Sequence, residues 1–446
     1  MKAYTTMQKN IFMVIWTLTG CCIFMIKELV QMTEKQPTRL RIGLLSYRSN
    51  PFCGGQGVYV QNLSHALTQL GHHVEIISGP PDLPLNESIP LIRLPSLDLY
   101  NPENPFRTPS LQELRDPLNF MEWVGVSTMG FPEPFIFGIR AWRRLQGQYG
   151  RYDVIHDNQS LSYGVWLMQR QIPVVATIHH PITVDRSIDL LAAGSFLKKL
   201  KTMRWYSFIG MQKRVARSLD HIITVSRCAM IDIQKEFDMD AACFHVAPNG
   251  IDTDRFYPLP RIQREPGRII VTNSADTPLK GLAHLLLAIK DISRKLNVQL
   301  IVIGSPKKDG VIETLIRDLG IGDRVTFTGR ITHAAFVQEY ARASVAVVPS
   351  LYEGFGLPAG EAMACAVPVV STTGGALPEV VGNAGVLVPP GDAGALGRAI
   401  FNLLNNPDQA AELGLAGYRR VRQAFTWKAA AQKTVEVYRS AIDAYH

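Results

Sequence analysis

The sequence predicts an α/β protein built from two doubly wound domains, each with a parallel sheet covered by helices on both faces. Its 446 residues exceed what one ordinary core accommodates. From Arg41 onward, short apolar strands alternate with amphipathic helices, which is the pattern of right-handed βαβ units. The alternation stops within residues 247–268 and then starts again. We therefore expect ligands where the carboxyl ends of the strands face the cleft between the two domains.

The first domain is placed at residues 39–257. A loop, "CGGQG", is predicted to join the first strand to a helix, "VYVQNLSHALTQLG", that closes at Gly71. Residues 98–146 mix Pro, aromatic and charged residues without a sustained period, and we expect an insertion at the cleft there. The predicted strands of this domain are "RIGLLSY", "HHVEIISG", "YDVIHD", "PVVATIHH" and "HIITVS".

The second domain is placed at residues 258–425. The stretch "APNGIDTDRFYPLPRIQREPGR", rich in Pro, Gly, Asp and Arg, predicts the linker that leads into it. A last helix at residues 426–446, with no strand after it, is expected to pack back on the first domain. The predicted strands are "RIIVTNS", "VQLIVIGS", "RVTFTGR", "SVAVVPS", "VPVVST" and "AGVLVPP".

The composition is typical of a folded soluble enzyme, with 46% hydrophobic and 19% charged residues. The net charge of +8 favours phosphate-bearing small molecules, anionic membrane surfaces or nucleic acid as partners. No RNA- or DNA-binding motif accompanies that charge, so we expect no nucleic-acid partner. The six cysteines form no CxxC pair, which argues against zinc or a disulfide framework and for a reducing, cytoplasmic compartment. They stand at positions 21, 22, 53, 228, 243 and 365.

Residues 1–38 form an apolar N-terminal extension whose role the sequence leaves open. Its apolar run, "IFMVIWTLTGCCIFMI" at 11–26, has 16 residues, whereas a spanning helix needs about 20. A small-residue cleavage site is not clear. The run is either a membrane anchor or a non-functional extension, with translation starting at Met25 or Met32.

The stretch 196–219 carries seven basic residues among apolar and aromatic ones. A basic amphipathic helix of this kind can lie on an anionic bilayer. A solvated helical face is the commoner explanation and is favoured here. Membrane association through this stretch or through 11–26 stays open.

Two carboxylates flank a Gly-rich turn in "SLYEGFGLPAGEAMACAVPVV", residues 350–370. Gly354 and Gly356 let the backbone approach a ligand, and amides at the start of the following helix form a positive concavity. Glu353 precedes the turn, and Glu361 is expected in the first turn of the helix. Carboxylates accept paired hydrogen bonds from vicinal hydroxyls, so the pair is suited to two polyols joined by a diphosphate. The alternative is a favourable first-turn acid and a surface loop residue.

The stretch "PSLYEGFGLPAGEAMACAVPVVSTTGGALPEVV" resembles the signature of retaining family-4 glycosyltransferases, which have two Rossmann-like domains facing each other across a cleft, the GT-B fold. The resemblance covers most of residues 40–427 and includes "GGQGVYVQNLSHAL", "TVS", "VAPNGIDTDRF", "KGLAHLLLAI" and "FTGRI", in this order. It implies a hexosyltransferase of glycan biosynthesis that moves a sugar from a UDP- or GDP-sugar, less often an ADP-sugar, to a hydroxyl acceptor with retention. The nucleotide sugar is a co-substrate, and no other cofactor is expected. The acceptor is an unknown saccharide or a lipid-linked molecule.

The resemblance also implies the roles of the acidic pair. In similar enzymes the second acid, here Glu361, binds the nucleotide ribose, and the first, here Glu353, lies beside the transferred sugar. Four backbone amides hold the hydroxyls of that sugar, those of Gly354, Phe355, Gly356 and Leu357.

The resemblance places the diphosphate and the reacting centre as well. Gly55 and Gly57 would present amides to the diphosphate, and Lys280 would bind it and stabilise the leaving group. His179 matches the histidine on the C6 side of the sugar, and His156 is a second candidate at the cleft edge.

One departure from the family concerns a cation. Family members commonly carry an Arg five or six residues before the lysine, where Ala275 and Ser274 stand here. Arg330, another cation, or the amides alone must then carry that charge, although the corresponding family residues more often line the nucleobase.

We expect catalysis without metal, because Lys280 and amide dipoles can neutralise the leaving diphosphate. The acidic "DTD" at 252–254 and "DMD" at 238–240 lie in the linker and beside a loop, and are taken as chance. Other functions stay open: a nucleotide-sugar epimerase, a phosphorolytic relative of the same fold, or a non-catalytic membrane-associated binding protein. A classical dehydrogenase is excluded, since neither domain carries the G-x-G-x-x-G fingerprint after its first strand.

Overall fold

Thirteen strands of the described residues form two parallel sheets. The computed structural model describes residues 39–48, 55–81, 89–101, 104, 107–272 and 277–445, and gathers the chain from Arg41 onward in one compact unit. The predicted extension 1–38 with its run 11–26 lies outside the described residues, as do the first two residues of the "CGGQG" loop and the positions of Ser274 and Ala275.

The first sheet has seven strands in the order β3-β2-β1-β4-β5-β6-β7. Every residue of β4 and β5 is buried, because helices cover both faces of a parallel sheet. The strands are β1 (Arg41–Ser46), β2 (His73–Ser78), β3 (Leu91–Arg93), β4 (Val154–Asn158), β5 (Val174–Ile178), β6 (Ile222–Thr224) and β7 (Phe244–Val246).

Helices connect these strands, and two of them lie in the predicted insertion at 98–146. The first of these two helices begins at Pro117 and is capped by Asp116, whose carboxylate accepts hydrogen bonds from the amides of Leu118 and Asn119. The helices are α1 (Gly55–Gln69), α2 (Pro117–Ser127), α3 (Glu133–Leu145), α4 (Tyr163–Met168), α5 (Ile182–Ala192), α6 (Phe196–Trp205), α7 (Ile209–Ala216) and α8 (Arg227–Phe237).

The second sheet has six strands in the order β10-β9-β8-β11-β12-β13. All four residues of β11 and of β12 are buried. No helix or strand lies between β7 and β8, so the predicted linker is irregular up to its last residue, Arg268, which begins β8. The strands are β8 (Arg268–Thr272), β9 (Gln299–Ile303), β10 (Val325–Phe327), β11 (Val345–Val348), β12 (Val369–Thr372) and β13 (Val386–Val388).

Eight helices accompany and follow the second sheet. The last of them, α16, packs against α1, β4 and β5 of the first sheet. Where the domain boundaries fall, at 257 and 425, stays a prediction. The helices are α9 (Leu282–Ser293), α10 (Val311–Leu319), α11 (His333–Arg342), α12 (Leu357–Ala364), α13 (Leu377–Val381), α14 (Ala393–Asn405), α15 (Pro407–Ala424) and α16 (Trp427–Tyr445).

Each sheet has a point where the strand order reverses, between β1 and β4 in the first and between β8 and β11 in the second. In open parallel sheets ligands bind outside the carboxyl ends of the strands at such a point. The Gly-rich start of α1 follows β1, and the turn with Glu353 follows β11. The α/β fold with two parallel sheets is thus as the sequence predicts, and it locates the candidate site. Within the described part of the chain, no helix has the length and apolar character needed to cross a bilayer.

Candidate active site

Lys280 and Glu353 meet at the carboxyl edge of the second sheet. Lys280 Nζ donates to Glu353 Oε1 at 2.7 Å, and the Ser350 hydroxyl donates to the same oxygen at 2.7 Å. The carboxylate side chain keeps 12% of its surface exposed, whereas the lysine keeps 31%. Two donors therefore fix the carboxylate, while the ammonium remains reachable from solvent.

Two loops are joined at this point. Leu351 N donates to Leu279 O at 2.8 Å, which ties the turn after β11 to the turn before α9. Gly281 has a φ of 69°, and a Cβ there would lie 2.0 Å from Pro349 O. Only glycine fits so close an approach in the left-handed region. The backbone thus sets the distance between the lysine and the carboxylate.

The backbone of Glu353 is also held from the other side. Ala376 N donates to Glu353 O at 2.8 Å, and a Cβ on Gly375 would lie 2.2 Å from that oxygen. The "TTGG" segment at the end of β12 therefore packs against the turn that carries the carboxylate and holds it in place.

The starts of α1 and α12 lie opposite each other. A Cβ on Gly55 would lie 3.8 Å from Leu357 Cδ1, and Gly57 is buried in the first turn of α1. Gly356, with a φ of 103°, precedes α12, and Pro358 stands in its first turn. The first amides of a helix lack intrahelical acceptors and carry positive partial charge. Two positive helix ends, one from each half of the chain, therefore flank one gap.

His179 follows β5 and is held in one orientation. Its Nε2 lies 2.8 Å from Asn158 Oδ1, its backbone amide donates to Gln159 Oε1 at 2.8 Å, and the ring packs edge-on against Tyr59 at 4.7 Å between centroids. Burial, with the nearby His180 and His156 contributing, lowers the pKa of His179 to about 3. The imidazole is therefore neutral at physiological pH.

The tautomer of His179 follows from its partner. Asn158 Nδ2 donates to Gln56 O at 3.5 Å, which turns the amide oxygen toward the imidazole. An amide oxygen only accepts, so His179 donates from Nε2 and keeps a lone pair on Nδ1. The side chain can therefore accept a hydrogen bond from a hydroxyl at Nδ1.

Glu361 is the fifth residue of α12, and the expectation of a first-turn acid is wrong because the helix begins at Leu357. The alternative, that Glu361 is only a favourable first-turn acid, is excluded for the same reason. Among the described residues its carboxyl has no hydrogen-bond partner. Burial, with the nearby carboxylate of Asp252 adding to it, raises the pKa of Glu361 to about 7. A half-buried carboxyl without a partner is poised to accept donors from a ligand.

Two family models match the chain. The model described as "Glycosyltransferase Family 4" matches residues 53–255, and that described as "Glycosyl transferases group 1" matches residues 261–420. The MMP alpha-(1->4)-mannosyltransferase of Mycolicibacterium hassiacum is 44% identical over 408 residues, which are 90% of this chain and 98% of that protein. The chain belongs to the family 4 glycosyltransferases.

Other relatives and solved structures are consistent with this family assignment. D-inositol 3-phosphate glycosyltransferase 2 of Catenulispora acidiphila is 28% identical, and the match covers 90% of this chain and 95% of that protein. The solved sucrose-phosphate synthase from Thermosynechococcus elongatus has a TM-score of 0.71 and 28% identity, and covers 91% of this chain and all of its own. Anabaena HepE, solved in complex with UDP and glucose, shares the fold with a TM-score of 0.67 and 18% identity. The match covers 90% of this chain and all of the HepE chain. The fold of the glycosyltransferase is GT-B, as the resemblance implied.

The two halves of the glycosyltransferase touch beside the Gly-rich turn. A Cβ on Gly354 would lie 2.4 Å from His179 O, and the Ser226 hydroxyl donates to Gly354 O at 2.7 Å. Tyr352 donates to Asp232 of α8 at 2.7 Å. The carboxylate-bearing turn therefore lies directly against the loop that carries His179.

The side chains of two further predicted residues lie away from the Lys280–Glu353 pair, although for Phe355 the prediction concerned only the backbone amide. Phe355 is buried against Phe425 at 5.6 Å between centroids, so its side chain packs in the core and only its amide remains available. Arg330 is exposed in the loop after β10, and two strands separate β10 from β11. At the usual strand spacing that is about 14 Å from the end of β11.

His156 does not serve as a cleft residue. It is fully buried, with Nδ1 2.6 Å from the Tyr438 hydroxyl and Nε2 2.7 Å from Thr177 Oγ1. Its pKa is lowered to about 3 by burial. The network joins α16 to β4 and β5, which is a structural role, so the prediction of a second cleft-edge candidate is wrong.

The two acidic stretches, "DTD" in the linker and "DMD" after α8, have structural roles. Asp252 accepts from the amides of Asp254 and Arg255, which closes a turn, and Asp240 caps the short turn that starts at Ala241 by accepting from Ala242. Among the described residues no cluster of three or more His, Cys, Asp or Glu side chains has the arrangement of a metal site.

Sequence reasoning missed the residues that orient the predicted ones. Ser350 bonds Glu353, Asn158 and Gln159 bond His179, and Tyr59 packs on its ring. Asn158 and Gln159 could have been found from their position, because they stand at the carboxyl end of β4, the strand that pairs with β5.

Proposed function

We propose that this glycosyltransferase transfers a mannosyl residue from a UDP- or GDP-sugar to a saccharide hydroxyl with retention of anomeric configuration. The observation that carries the proposal is the Lys280–Glu353 pair at 2.7 Å beside the two opposed helix starts. The 44% identical relative named as an alpha-(1->4)-mannosyltransferase supports the choice of sugar and linkage.

The nucleotide end of the donor is assigned to Glu361. Its carboxyl lacks a partner among the described residues, and its pKa of about 7 leaves a large fraction ionised at neutral pH. A ribose offers two vicinal hydroxyls, which a carboxylate accepts together. Binding would therefore satisfy a half-buried group that is otherwise costly.

The diphosphate is assigned to the gap between α1 and α12. The helix starts at Gly55 and Leu357 supply amides and positive dipole ends from both sides. Lys280 would leave or share its bond to Glu353 and neutralise the phosphate oxygens. These fixed donors act where negative charge develops as the leaving group departs, so no metal is required in this scheme.

The reacting sugar is assigned to the space between His179 and Glu353. The His179 Nδ1 lone pair would accept a sugar hydroxyl, and the amides of Gly354, Gly356 and Leu357 would donate to others. In the transfer, the bond from the anomeric carbon to the phosphate oxygen breaks and the acceptor oxygen takes its place. The acceptor proton leaves with the nucleoside diphosphate, so atoms and charge balance.

A panel of nucleotide sugars tests this proposal. Thermal shift and donor hydrolysis are measured with GDP-mannose, UDP-glucose, UDP-N-acetylglucosamine and ADP-glucose, and products are analysed by NMR. We expect one mannosyl donor to stabilise and turn over, with an α product. Stabilisation by none of these donors would overturn the proposal, and an epimerised or phosphorolysed donor would identify one of the alternative reactions.

We also propose that the outer face of α6 docks this enzyme on an anionic bilayer. The helix buries none of its residues, and Phe196, Leu200 and Met203 are 75%, 48% and 58% exposed. These three lie at i, i+4 and i+7 and form one stripe. The predicted solvated face is therefore apolar as well as basic.

The charge of α6 selects an anionic partner. It carries four basic residues and no acidic one, and two of the basic residues, Lys199 and Arg204, stand on either side of the apolar stripe. Exposed Leu191 and Leu197 extend the apolar surface at its side. An apolar stripe flanked by cations is the feature by which interfacial helices bind anionic lipids.

Vesicle sedimentation tests this docking. The full-length enzyme is compared with a Phe196→Ser, Leu200→Ser, Met203→Ser variant on phosphatidylcholine vesicles with and without phosphatidylglycerol; Leu287→Ser, an exposed residue of α9, is the control. We expect wild type and control to sediment with the anionic vesicles and the triple variant to stay in the supernatant. Equal sedimentation of all three, or a wild-type dimer that the triple variant loses, would overturn the docking.

A further inference from the structure

A cavity of about 310 Å³ opens beside α5 and α6 of the first half of the chain. Its volume is at the lower end of the range for small-molecule pockets. None of the site residues described above lines it. It is lined by Met129, Asp189, Lys201, Thr202, Trp205 and Tyr206.

The indole of Trp205 is held as a platform in this cavity. It stacks on Phe131 at 5.0 Å between centroids with 26° between the planes, and Tyr100 contacts it edge-on at 5.6 Å. Phe131 covers one face of the indole, and 37% of the surface of Trp205 remains exposed. A rigid aromatic surface suits the apolar C–H face of a pyranose.

Polar groups that match sugar hydroxyls stand around this platform. The Asp189 carboxylate accepts from the Tyr206 hydroxyl at 2.7 Å, which fixes the side chain and leaves its other oxygen available. Lys201 and Thr202 add donors on the same side. A carboxylate, an ammonium and a hydroxyl around an aromatic face form a set that recognises a neutral polyol rather than an anion or a lipid tail.

The helix α5 connects this cavity to the site of transfer. At its first turn Asp185 Oδ2 lies 2.7 Å from His180 Nε2, next to His179. Asp189 stands one turn further along the same face, about 6 Å away at the helical rise. The cavity therefore lies one helical turn beyond the carboxylate that contacts His180, the neighbour of His179 in the chain.

We propose that the Trp205–Asp189 cavity is an acceptor subsite that holds a saccharide unit of an oligosaccharide acceptor, remote from the hydroxyl that is glycosylated. This subsite rests on the proposed function, because it needs a saccharide acceptor at the His179 end. It makes the enzyme prefer acceptors of several units over a single sugar. Its residues lie on the face of α6 opposite to Phe196, Leu200 and Met203, so the membrane proposal concerns a different surface.

Acceptor-length kinetics test the subsite. Methyl α-mannoside and α-(1→4)-linked mannotetraose are compared as acceptors for wild type, Trp205→Ala, Trp205→Phe and Asp189→Asn, with the donor identified in the panel above. We expect Trp205→Ala and Asp189→Asn to raise KM for the tetraose roughly tenfold and leave its kcat and the monosaccharide kinetics unchanged. Trp205→Phe should restore most of the tetraose affinity, because it keeps an aromatic face. Ile231→Ala, an exposed residue of α8 in the same half of the chain, is the control and should behave as wild type.

Three outcomes separate the hypotheses. Equal losses for both acceptors, or no loss for the tetraose, overturn the subsite while leaving the transferase proposal intact. Wild-type enzyme that binds its donor but neither binds nor elongates the tetraose also overturns the subsite. Absence of donor binding in wild type overturns the proposed function itself. Thermal shift with the donor is recorded for each variant, so that a folding defect in Trp205→Ala is recognised and Asp189→Asn then decides.

Discussion

Lys280 and Glu353 are 73 residues apart in the chain, yet Lys280 Nζ and Glu353 Oε1 lie 2.7 Å apart. The ends of β8 and β11 are neighbours in the second sheet, and the turn before α9 is tied to the turn after β11 by the bond from Leu351 N to Leu279 O. The topology of the sheet thus assembles a cation and an anion from different motifs. In the proposed reaction a donor diphosphate would compete with Glu353 for the ammonium.

This bond predicts non-additive effects on turnover. We expect Lys280→Met to lower kcat by about 10²- to 10³-fold, the range found when one fixed donor to a developing charge is removed. Glu353→Gln removes the anchor of the same ammonium, so the double variant should lose less than the product of the single losses. Donor turnover in a double-mutant cycle measures this, with exposed Lys308→Met as the control. Additive losses would contradict a shared role.

The neutral tautomer of His179 is directly measurable. Since burial holds its pKa near 3, we expect ¹⁵N NMR to show a proton on Nε2 and none on Nδ1 from pH 5 to pH 8. His179→Gln should lower kcat about tenfold, because one hydrogen bond to the sugar is lost. Asn158→Ala should release the ring and mix the tautomers, whereas exposed His65→Gln should change neither the spectrum of His179 nor kcat. A titration of His179 within that pH range would refute the assignment.

Chelation tests the role proposed for Lys280 and the helix amides. If these groups neutralise the leaving diphosphate, turnover should be unchanged after dialysis against EDTA and unchanged again when Mg²⁺ or Mn²⁺ is added. The assay follows release of the nucleoside diphosphate at saturating donor. Loss of activity with EDTA and its recovery with either ion would show that a metal carries that charge.

Strands were predictable where a run of apolar residues is buried on both faces, as in β4, β5 and β11. β3 and β7 were missed, and β3 is bounded by Pro90 and Pro95, which disfavour a strand assignment. Both are three-residue edge strands, but so are β10 and β13, which were predicted. The start of α1 at Gly55 was also missed, since glycines in "CGGQG" favour a loop by composition.

The candidate site was predictable as a set of residues but not as a set of contacts. The sequence paired Glu353 with Glu361 by spacing, whereas the structure bonds Glu353 to Lys280. Asn158 could not be found from its own motif, because its contact with His179 depends on the register of β4 against β5. His156 and His179 both follow apolar runs, and only the packing of α16 shows which one is enclosed.

The bond between Tyr438 and His156 predicts how α16 stabilises the protein. Tyr438→Phe removes the hydroxyl 2.6 Å from His156 Nδ1 and leaves a buried ring nitrogen without that partner. We expect a loss of about 1–3 kcal/mol in the free energy of unfolding. Urea denaturation measures it, with the exposed Tyr257→Phe as the control. A stability equal to wild type would mean that the imidazole finds another partner.

Because the pKa of Glu361 is raised, we expect a rise in pH to weaken the folding stability and to strengthen donor binding. Its pKa rises from 4.5 to about 7 in the folded protein because of burial. Between these values the unfolded chain releases the proton and the folded protein retains it, so this group lowers the free energy of unfolding as pH rises from about 4.5 to about 7. Glu361→Gln cannot ionise, and urea denaturation at pH 5 and pH 8 should show a smaller decline for the variant than for wild type.

Donor binding should change in the other direction, because ribose hydroxyls donate to the ionised carboxylate. We expect the wild-type Kd for the donor to fall as pH rises from 6 to 8 and then to level off above the pKa of Glu361. Glu361→Gln should bind about tenfold more weakly at pH 8 and show little pH dependence, since its amide oxygen accepts only as a neutral group. Calorimetric titration at several pH values measures both effects. Parallel pH curves for wild type and variant would place the ribose away from Glu361, because another titrating group would then set the dependence.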